Sequence, residues 1–226
     1  MSFLLECLNL VKAYQTPGGK VEALRGVSLQ VKPGEFVCVT GRSGSGKTTL
    51  LNCLGTLDLP TGGSILLNGQ NCDRLSEKQL LEVRRHFLGF VFQQFFLVSY
   101  LSAAENIALP LVYQGYSWRN AVEKGVKILE KVGLLSHAHQ PARFLSGGEA
   151  QRVAICRAIS AEPKLLLADE PTGELDTATS ASVIDLLKAQ RIKGIGLLIV
   201  SHDPAIVQAA DRVLRLEDGS LNQDTH

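Results

Sequence analysis

Between residues 3 and 31 apolar and polar positions alternate, with a break at Thr16-Pro17-Gly18-Gly19, and this predicts antiparallel strands joined by a turn. From Phe36 the pattern changes. Phe36-Val37-Cys38-Val39-Thr40 is a short β-rich run entering a glycine-rich loop, and Leu50, Leu51, Leu54 and Leu57 beyond it recur at helical spacing. Ile65-Leu66-Leu67, bracketed by Gly62-Gly63-Ser64 and Asn68-Gly69, predicts another strand ending in a turn. Residues 102 to 135 read as helix-rich, and Pro163 separates a helix over about 147–160 from a buried strand at 165–168. Val183, Ile184, Leu186 and Leu187 predict a helix, and Leu197 to Val200 a second buried strand. Asp203-Pro204 then opens the next helix, as a cap followed by proline at its first position. Buried strands alternating with helices imply a parallel sheet covered on both faces, hence an α/β fold. The stretch over about 94–158 reads as a mostly helical insertion.

At 226 residues, 45% hydrophobic and 20% charged, the chain has material for one large α/β domain or a core with one inserted subdomain, not for a tandem array. Its 23 basic and 22 acidic residues give a formal charge of +1, so nothing electrostatic points to nucleic acid, and no nucleic-acid partner is expected. The longest apolar runs fall far short of the roughly 18 residues that a bilayer span requires. The start Met1-Ser2-Phe3-Leu4-Leu5-Glu6 lacks the basic region of a signal peptide, so a cytosolic location is expected. The five cysteines, Cys7, Cys38, Cys53, Cys72 and Cys156, form no C-x-x-C pair and are odd in number, which fits reduced core thiols rather than a disulfide frame or zinc site.

Gly41-Arg42-Ser43-Gly44-Ser45-Gly46-Lys47-Thr48 fits G-x-x-x-x-G-K-[ST], between a predicted strand and a predicted helix as that motif requires. Its glycines let successive N–H groups converge on phosphate oxygens at the positive end of the following helix. Lys47 is expected to reach the β- and γ-phosphates, the Thr48 hydroxyl to bind Mg²⁺, and Thr49 to add a phosphate hydrogen bond. Leu165-Leu166-Leu167-Ala168-Asp169-Glu170 is an apolar strand ending in two carboxylates. That arrangement puts Asp169 beside Mg²⁺ and makes Glu170 the candidate to polarise an attacking water.

Leu145-Ser146-Gly147-Gly148-Glu149-Ala150-Gln151-Arg152 narrows the class. Ser146 and Glu149 form an S-x-x-E capping box, and the two glycines leave a helix N-terminus open to an anion. With these motifs the chain resembles an ATP-binding cassette (ABC) ATPase over nearly its whole length. The resemblance implies a P-loop NTPase fold with a parallel core sheet, an N-terminal antiparallel β subdomain and an inserted helical subdomain, all in one ATP-binding domain over 1–226. It also implies a head-to-tail pair of identical chains, in which Ser146, Gly147, Gly148 and Glu149 face the γ-phosphate held by the other copy. Position by position, Gln93 matches the glutamine that senses Mg²⁺, His202 the switch histidine and Leu175-Asp176 the loop crossing the dimer interface. Tyr14 matches the aromatic that stacks on adenine. Glu174 stands where Asn, Ser or Ala is expected, adding an interface charge, and Cys156 where alanine is usual. His86, His137 and His139 match no metal pattern.

Phe87, Phe90, Phe92, Phe95 and Phe96 fall within ten positions. Phe90 and Phe92 are expected in the core, whereas Phe95, Phe96, Leu97 and Val98 lie where the family receives a helix of its membrane subunit. Leu51 to Asp58, Gly89 to Gln93 and Ala168 to Gly173 resemble the branch serving lipoprotein release and macrolide export. The implied partners are a membrane subunit on a separate chain and a second copy of this one, at the cytoplasmic face of the inner membrane, with membrane association only through the partner. The alternative is a soluble or cell-division-type ABC ATPase doing mechanical work without translocation.

Overall fold

The computed structural model describes residues 3–173 and 175–223, so Glu174 lies outside the described residues. In chain order its strands and helices are β1 (Leu5–Thr16), β2 (Gly19–Val31), β3 (Phe36–Thr40), α1 (Lys47–Leu54), β4 (Gly62–Leu67), β5 (Gln70–Asn71), α2 (Glu77–His86), β6 (Leu88–Val91), α3 (Ala103–Tyr113), α4 (Trp118–Lys131), α5 (Gly147–Ser160), β7 (Leu165–Asp169), α6 (Thr177–Ile192), β8 (Gly196–Val200), α7 (Pro204–Ala209), β9 (Arg212–Glu217) and β10 (Ser220–Gln223). They build two sheets, an antiparallel one in the order β2-β1-β4-β5 and a six-stranded one in the order β10-β9-β3-β8-β7-β6. In the second sheet every pairing is parallel except β9 with β10.

The buried strands read as unbroken apolar runs because both sheet faces are covered. Val37, Val39, Leu165, Leu167, Leu198 and Val200 point into the core shared with α1 and the antiparallel sheet. Their neighbours Phe36, Cys38, Leu166, Ala168, Leu197 and Ile199 point the other way, toward residues of α5, α6 and α7. A third apolar cluster joins α3, α4 and α5 into the helical layer expected from the 102–135 pattern. All five cysteines are buried and unpaired, and burial pushes every thiol up, Cys53 and Cys72 to about 11 and Cys7, Cys38 and Cys156 to about 12.

The structure differs from the sequence pattern at several points. Helix α1 stops at Leu54, and Leu57 is exposed in the turn beyond it. Helix α2 turns only Leu80 and the half-buried Val83 to the core, a pair too short to announce a helical period. The β9–β10 hairpin turns at Asp218-Gly219, with φ of 45° and 78°, the left-handed pair that a tight hairpin favours. Because β3, β7 and β8 are parallel, their carboxyl ends share one edge of the sheet. That edge carries loop 41–46, Asp169-Glu170 and Ser201-His202.

Candidate nucleotide site

The loop after β3 leads into α1 through Gly46, whose φ is 103°. No side chain caps α1, so its N-terminal positive end faces the cleft bare. The Lys47 ammonium folds back along the loop and donates to the Gly41 and Arg42 carbonyls at 2.8 and 2.9 Å. One residue on, the Thr48 hydroxyl donates to Asp169 Oδ2 at 2.8 Å. Burial raises the Asp169 carboxyl, against the lowering effect of that hydroxyl, and the neighbouring Glu170 raises it further.

Glu170 leaves β7 with φ of 44°, a left-handed conformation that costs a non-glycine residue about 1–3 kcal/mol. Its N–H donates to the Val200 carbonyl at 2.8 Å, which ties this turn to the end of β8. The carboxylate is then held by that neighbour: Oε1 lies 2.8 Å from His202 Nδ1, and Oε2 accepts the Ser201 hydroxyl at 3.2 Å. Glu170 is mostly covered, with its side chain 13% exposed, whereas His202 is 76% exposed. The imidazole is therefore free to meet a ligand from the open side while its inner nitrogen stays on the carboxylate.

Gly41, Arg42, Ser43, Gly44, Gly46, Lys47, Thr48, Thr49, Gln93, Asp169, Glu170 and His202, with Ala23, line one cleft of about 610 Å³. Two expected contacts stand off it. Ser45 is buried beneath the loop, its hydroxyl unpartnered and its carbonyl accepting from the Gly219 amide. Tyr14 sits beside the cleft, its hydroxyl on Asp58 Oδ2 at 2.7 Å and within reach of the Thr49 hydroxyl.

Ser146, Gly147, Gly148 and Glu149 do not line this cleft. Ser146 caps α5, its amide donating to Glu149 Oε2 at 2.8 Å while the Glu149 amide approaches Ser146 Oγ at 3.4 Å. His137 Nε2 adds a contact to Glu149 Oε1 at 3.2 Å. Gly148 is packed on α6, where an added Cβ would lie 2.6 Å from Thr179 Cγ2.

The donors fit a hard divalent cation: Thr48 and Asp169 present oxygens to one another, and Gln93 borders the same space. Among the described residues no group of three His, Cys, Asp or Glu side chains converges.

A separate apolar groove of about 420 Å³ lies beyond Gln93, lined among others by Leu81, Phe90, Phe92, Phe96, Pro110 and Tyr113. Phe90 and Phe92, expected in the core, are half-buried and stack with ring centroids 5.7 Å apart, and Phe96 meets Phe92 edge-on at 5.4 Å. Phe96 is 62% exposed. Leu97 instead packs into the helical layer, and the Val98 amide donates to Asn106 Oδ1 at 2.7 Å. From α5, Arg157 donates to the Phe95 and Phe96 carbonyls at 2.9 and 2.6 Å, fixing the segment after Gln93. No motif marks His137, Ser201 or Arg157, because each reaches its partner only through the fold.

A bare helix end following a glycine loop, a hydroxyl–carboxylate pair and a covered glutamate under an exposed histidine define a P-loop ATPase. The ABC transporter family model matches residues 24–173, and the chain belongs to the ABC transporter family as one of its ATP-hydrolysing cassettes. It is 45% identical over 223 residues to the lipoprotein-releasing system ATP-binding protein LolD of Hyphomonas neptunium, covering 98% of this chain and 97% of that one. It is 41% identical to the macrolide export ATP-binding/permease protein MacB of Bdellovibrio bacteriovorus, covering 98% of this chain but spanning only 34% of that protein. The fold superposes on the dimeric structure of the bacterial ABC transporter cassette MJ0796 with a TM-score of 0.91 and 36% identity, over 98% of this chain and 99% of that one. A post-hydrolysis dimer of the same cassette with ADP and Pi gives the same TM-score at 35% identity. Among the described residues no helix is long and apolar enough to cross a membrane.

Proposed function

We propose that this chain acts as a single ATP-binding domain, with 94–158 as its helical subdomain, and pairs with a second copy around two ATP molecules to drive a membrane subunit on a separate chain. The work proposed is lipoprotein release or export, at the cytoplasmic face of the inner membrane, with attachment through that partner alone. The observation that carries this reading is the separation of the two glycine-rich helix starts. Loop 41–48 shares a cleft with Asp169, Glu170 and His202, while residues 146–149 lie off it. A two-fold pair lets each signature close the other copy's cleft.

In this reading Lys47 leaves the Gly41 and Arg42 carbonyls for the β- and γ-phosphate oxygens, and the amides opening α1 hold the phosphates. Tyr14 offers its ring to adenine. Mg²⁺ would supply positive charge that offsets the phosphate oxygens, and Thr48, Asp169 and Gln93 would hold it. Glu170 Oε1 accepts a proton from the attacking water, with Ser201 and His202 setting the carboxylate's direction. The outward nitrogen of His202 and the Lys47 ammonium face the γ-phosphoryl charge. The Phe90, Phe92 and Phe96 groove fits an amphipathic helix of the membrane subunit, anchored by aromatics beside Gln93.

Glu170→Gln keeps the shape of the side chain and loses the base. We expect it to bind ATP normally and to hydrolyse it slower by about 10²–10⁴-fold, measured as phosphate release at saturating ATP. Near-normal turnover would overturn the assignment. Co-purification from detergent tests the transporter reading: an integral membrane chain should accompany this one.

A further inference from the structure

Tyr14 is gripped from two sides. Its hydroxyl donates to Asp58 Oδ2 at 2.7 Å, and the Lys12 ammonium stands over the ring, 4.9 Å from its centroid. Lys12 and Asp58 are themselves joined, with Nζ 2.5 Å from Asp58 Oδ1 and 2.6 Å from the Leu59 carbonyl. Lys12 is only 8% exposed, and lysine is rarely that covered unless its charge is paired. Here its partners are a carboxylate, a carbonyl and a ring face.

Asp58 stands in the turn that ends α1. The Leu57 and Asp58 amides both donate to the Asn52 carbonyl, at 2.9 and 3.2 Å, and the Thr61 amide donates to the Val11 carbonyl at 2.8 Å. The turn is thereby pinned to α1 at one end and to β1, next to Lys12, at the other. One short helix thus carries the phosphate loop at its start and the support of Tyr14 just past its end. Burial works against the Asp58 charge, but Lys12 and then Tyr14 hold its carboxyl below the ordinary range. Burial first, and Asp58 second, push the Tyr14 phenol up. Both directions favour a carboxylate accepting from a neutral phenol at neutral pH.

We propose that Asp58 and Lys12 are positioning residues for the purine: Asp58 fixes the plane of the Tyr14 ring through its hydroxyl, and Lys12 covers one ring face, so that the opposite face is presented to adenine. This rests on the reading of Tyr14 as the adenine platform. A ring already fixed loses less freedom when a base stacks on it. A cation behind the ring draws electron density away from the free face, which favours contact with an electron-rich purine.

The test compares ATP with inorganic tripolyphosphate, which has the phosphates without the base. Binding of each to the full chain is measured by calorimetry in magnesium-free buffer. Asp58→Ala should raise the Kd for ATP about fivefold and leave that for tripolyphosphate unchanged. Asp58→Asn, which keeps an acceptor for the phenol, should restore part of the loss. Equal weakening of both ligands means that Asp58 only supports α1, and overturns the proposal, as does no change in either. Tyr14→Ala separates this inference from the reading beneath it. If that variant leaves the ratio of the two Kd values unmoved, the platform itself fails; if it moves the ratio and Asp58→Ala does not, only the positioning role falls. Should Asp58→Ala not fold, Lys12→Gln carries the same comparison, with ATP weakened and tripolyphosphate not.

Discussion

The loop that opens α1 and the segment that opens α5 are both glycine-rich helix starts, yet the first ends on Gly46 with no side-chain cap and the second on Ser146 with a reciprocal capping box. In α1 the bare amides face a cleft that also holds Thr48, Asp169, Glu170 and His202 from the same chain. In α5 the Ser146–Glu149 box satisfies part of the helix end internally, and none of residues 146–149 reaches that cleft. Under the proposed pairing, the difference separates a site assembled within one chain from one completed by a partner's anion. An uncapped end is tolerable where charged ligands complete it, whereas an end that waits for a second subunit must hold its own shape in the meantime.

The sharpest way to break this comparison is to add one methyl group to each loop. Gly46 has φ of 103°, and a Cβ there would lie 2.3 Å from the Ala23 carbonyl oxygen. Gly46→Ala should therefore distort the phosphate loop, with a strain of about 1–3 kcal/mol from φ alone and the clash in addition. We expect a clear fall in Tm and loss of ATP binding. Gly147 has ordinary helical space around it, the nearest neighbour of an added Cβ being Phe95 Cζ at 3.9 Å. Gly147→Ala should melt with the parent chain and bind ATP as a monomer, losing only ATP-driven dimerisation in size-exclusion runs. Equal destabilisation by both changes would erase the distinction.

Both loops are legible in the sequence because their chemistry is local: each motif is contiguous, and strand–loop–helix context follows from the run 36–40 and the leucines after it. Strand assignments at β3, β7 and β8 succeed for the same reason, since a strand buried on both faces leaves an unbroken apolar run. Helix α2 is missed because Leu80 and the half-buried Val83 are too few to make a period. What no spacing encodes is distance through the fold. That His137 meets Glu149, that Ser201 steadies Glu170 and that Arg157 holds the Phe95–Phe96 backbone follow from tertiary neighbours that are 12, 31 and 61 or 62 positions apart in the chain. Phe90 and Phe92 divide the core expectation: Phe90 packs on the core from β6 and also borders the open groove, whereas Phe92, just past that edge strand, lines the groove.

A smaller effect sharpens the α5 side. Ser146→Ala removes the cap hydroxyl, and losing an N-cap costs about 0.5–2 kcal/mol. The chain should still fold and bind ATP in its own cleft, since Ser146 does not line it. Hydrolysis should fall sharply, because the altered end is the one offered to the partner. Mixing the Ser146→Ala chain with Glu170→Gln chain makes the comparison decisive: in a mixed pair, one composite site gathers both defects and the other neither. Activity regained on mixing two nearly inactive chains supports completion in trans, and none regained would mean that the signature and the base of each site come from the same chain.

The smallest expected effect concerns the acid side of Glu149. Its carboxyl lies below the ordinary range, chiefly because it accepts the Ser146 amide, against an opposing effect of burial, with the Ser146 hydroxyl, His137 and Arg152 adding to the lowering. A depressed folded-state pKa means that the carboxylate's contribution is fully present above its unfolded-state value and is lost as pH falls through the folded one. A negative charge at a helix start is worth about 0.3–1 kcal/mol. Urea unfolding of the parent and Glu149→Gln should thus differ by that much at pH 7, and the gap should close as the pH approaches 4 and below. The phosphate loop has no such group, as α1 carries no acidic residue in its first turn. A gap for Glu149→Gln that persists unchanged into acid would mean that the α5 end is held by shape alone, and that the two helix starts differ in geometry but not in charge.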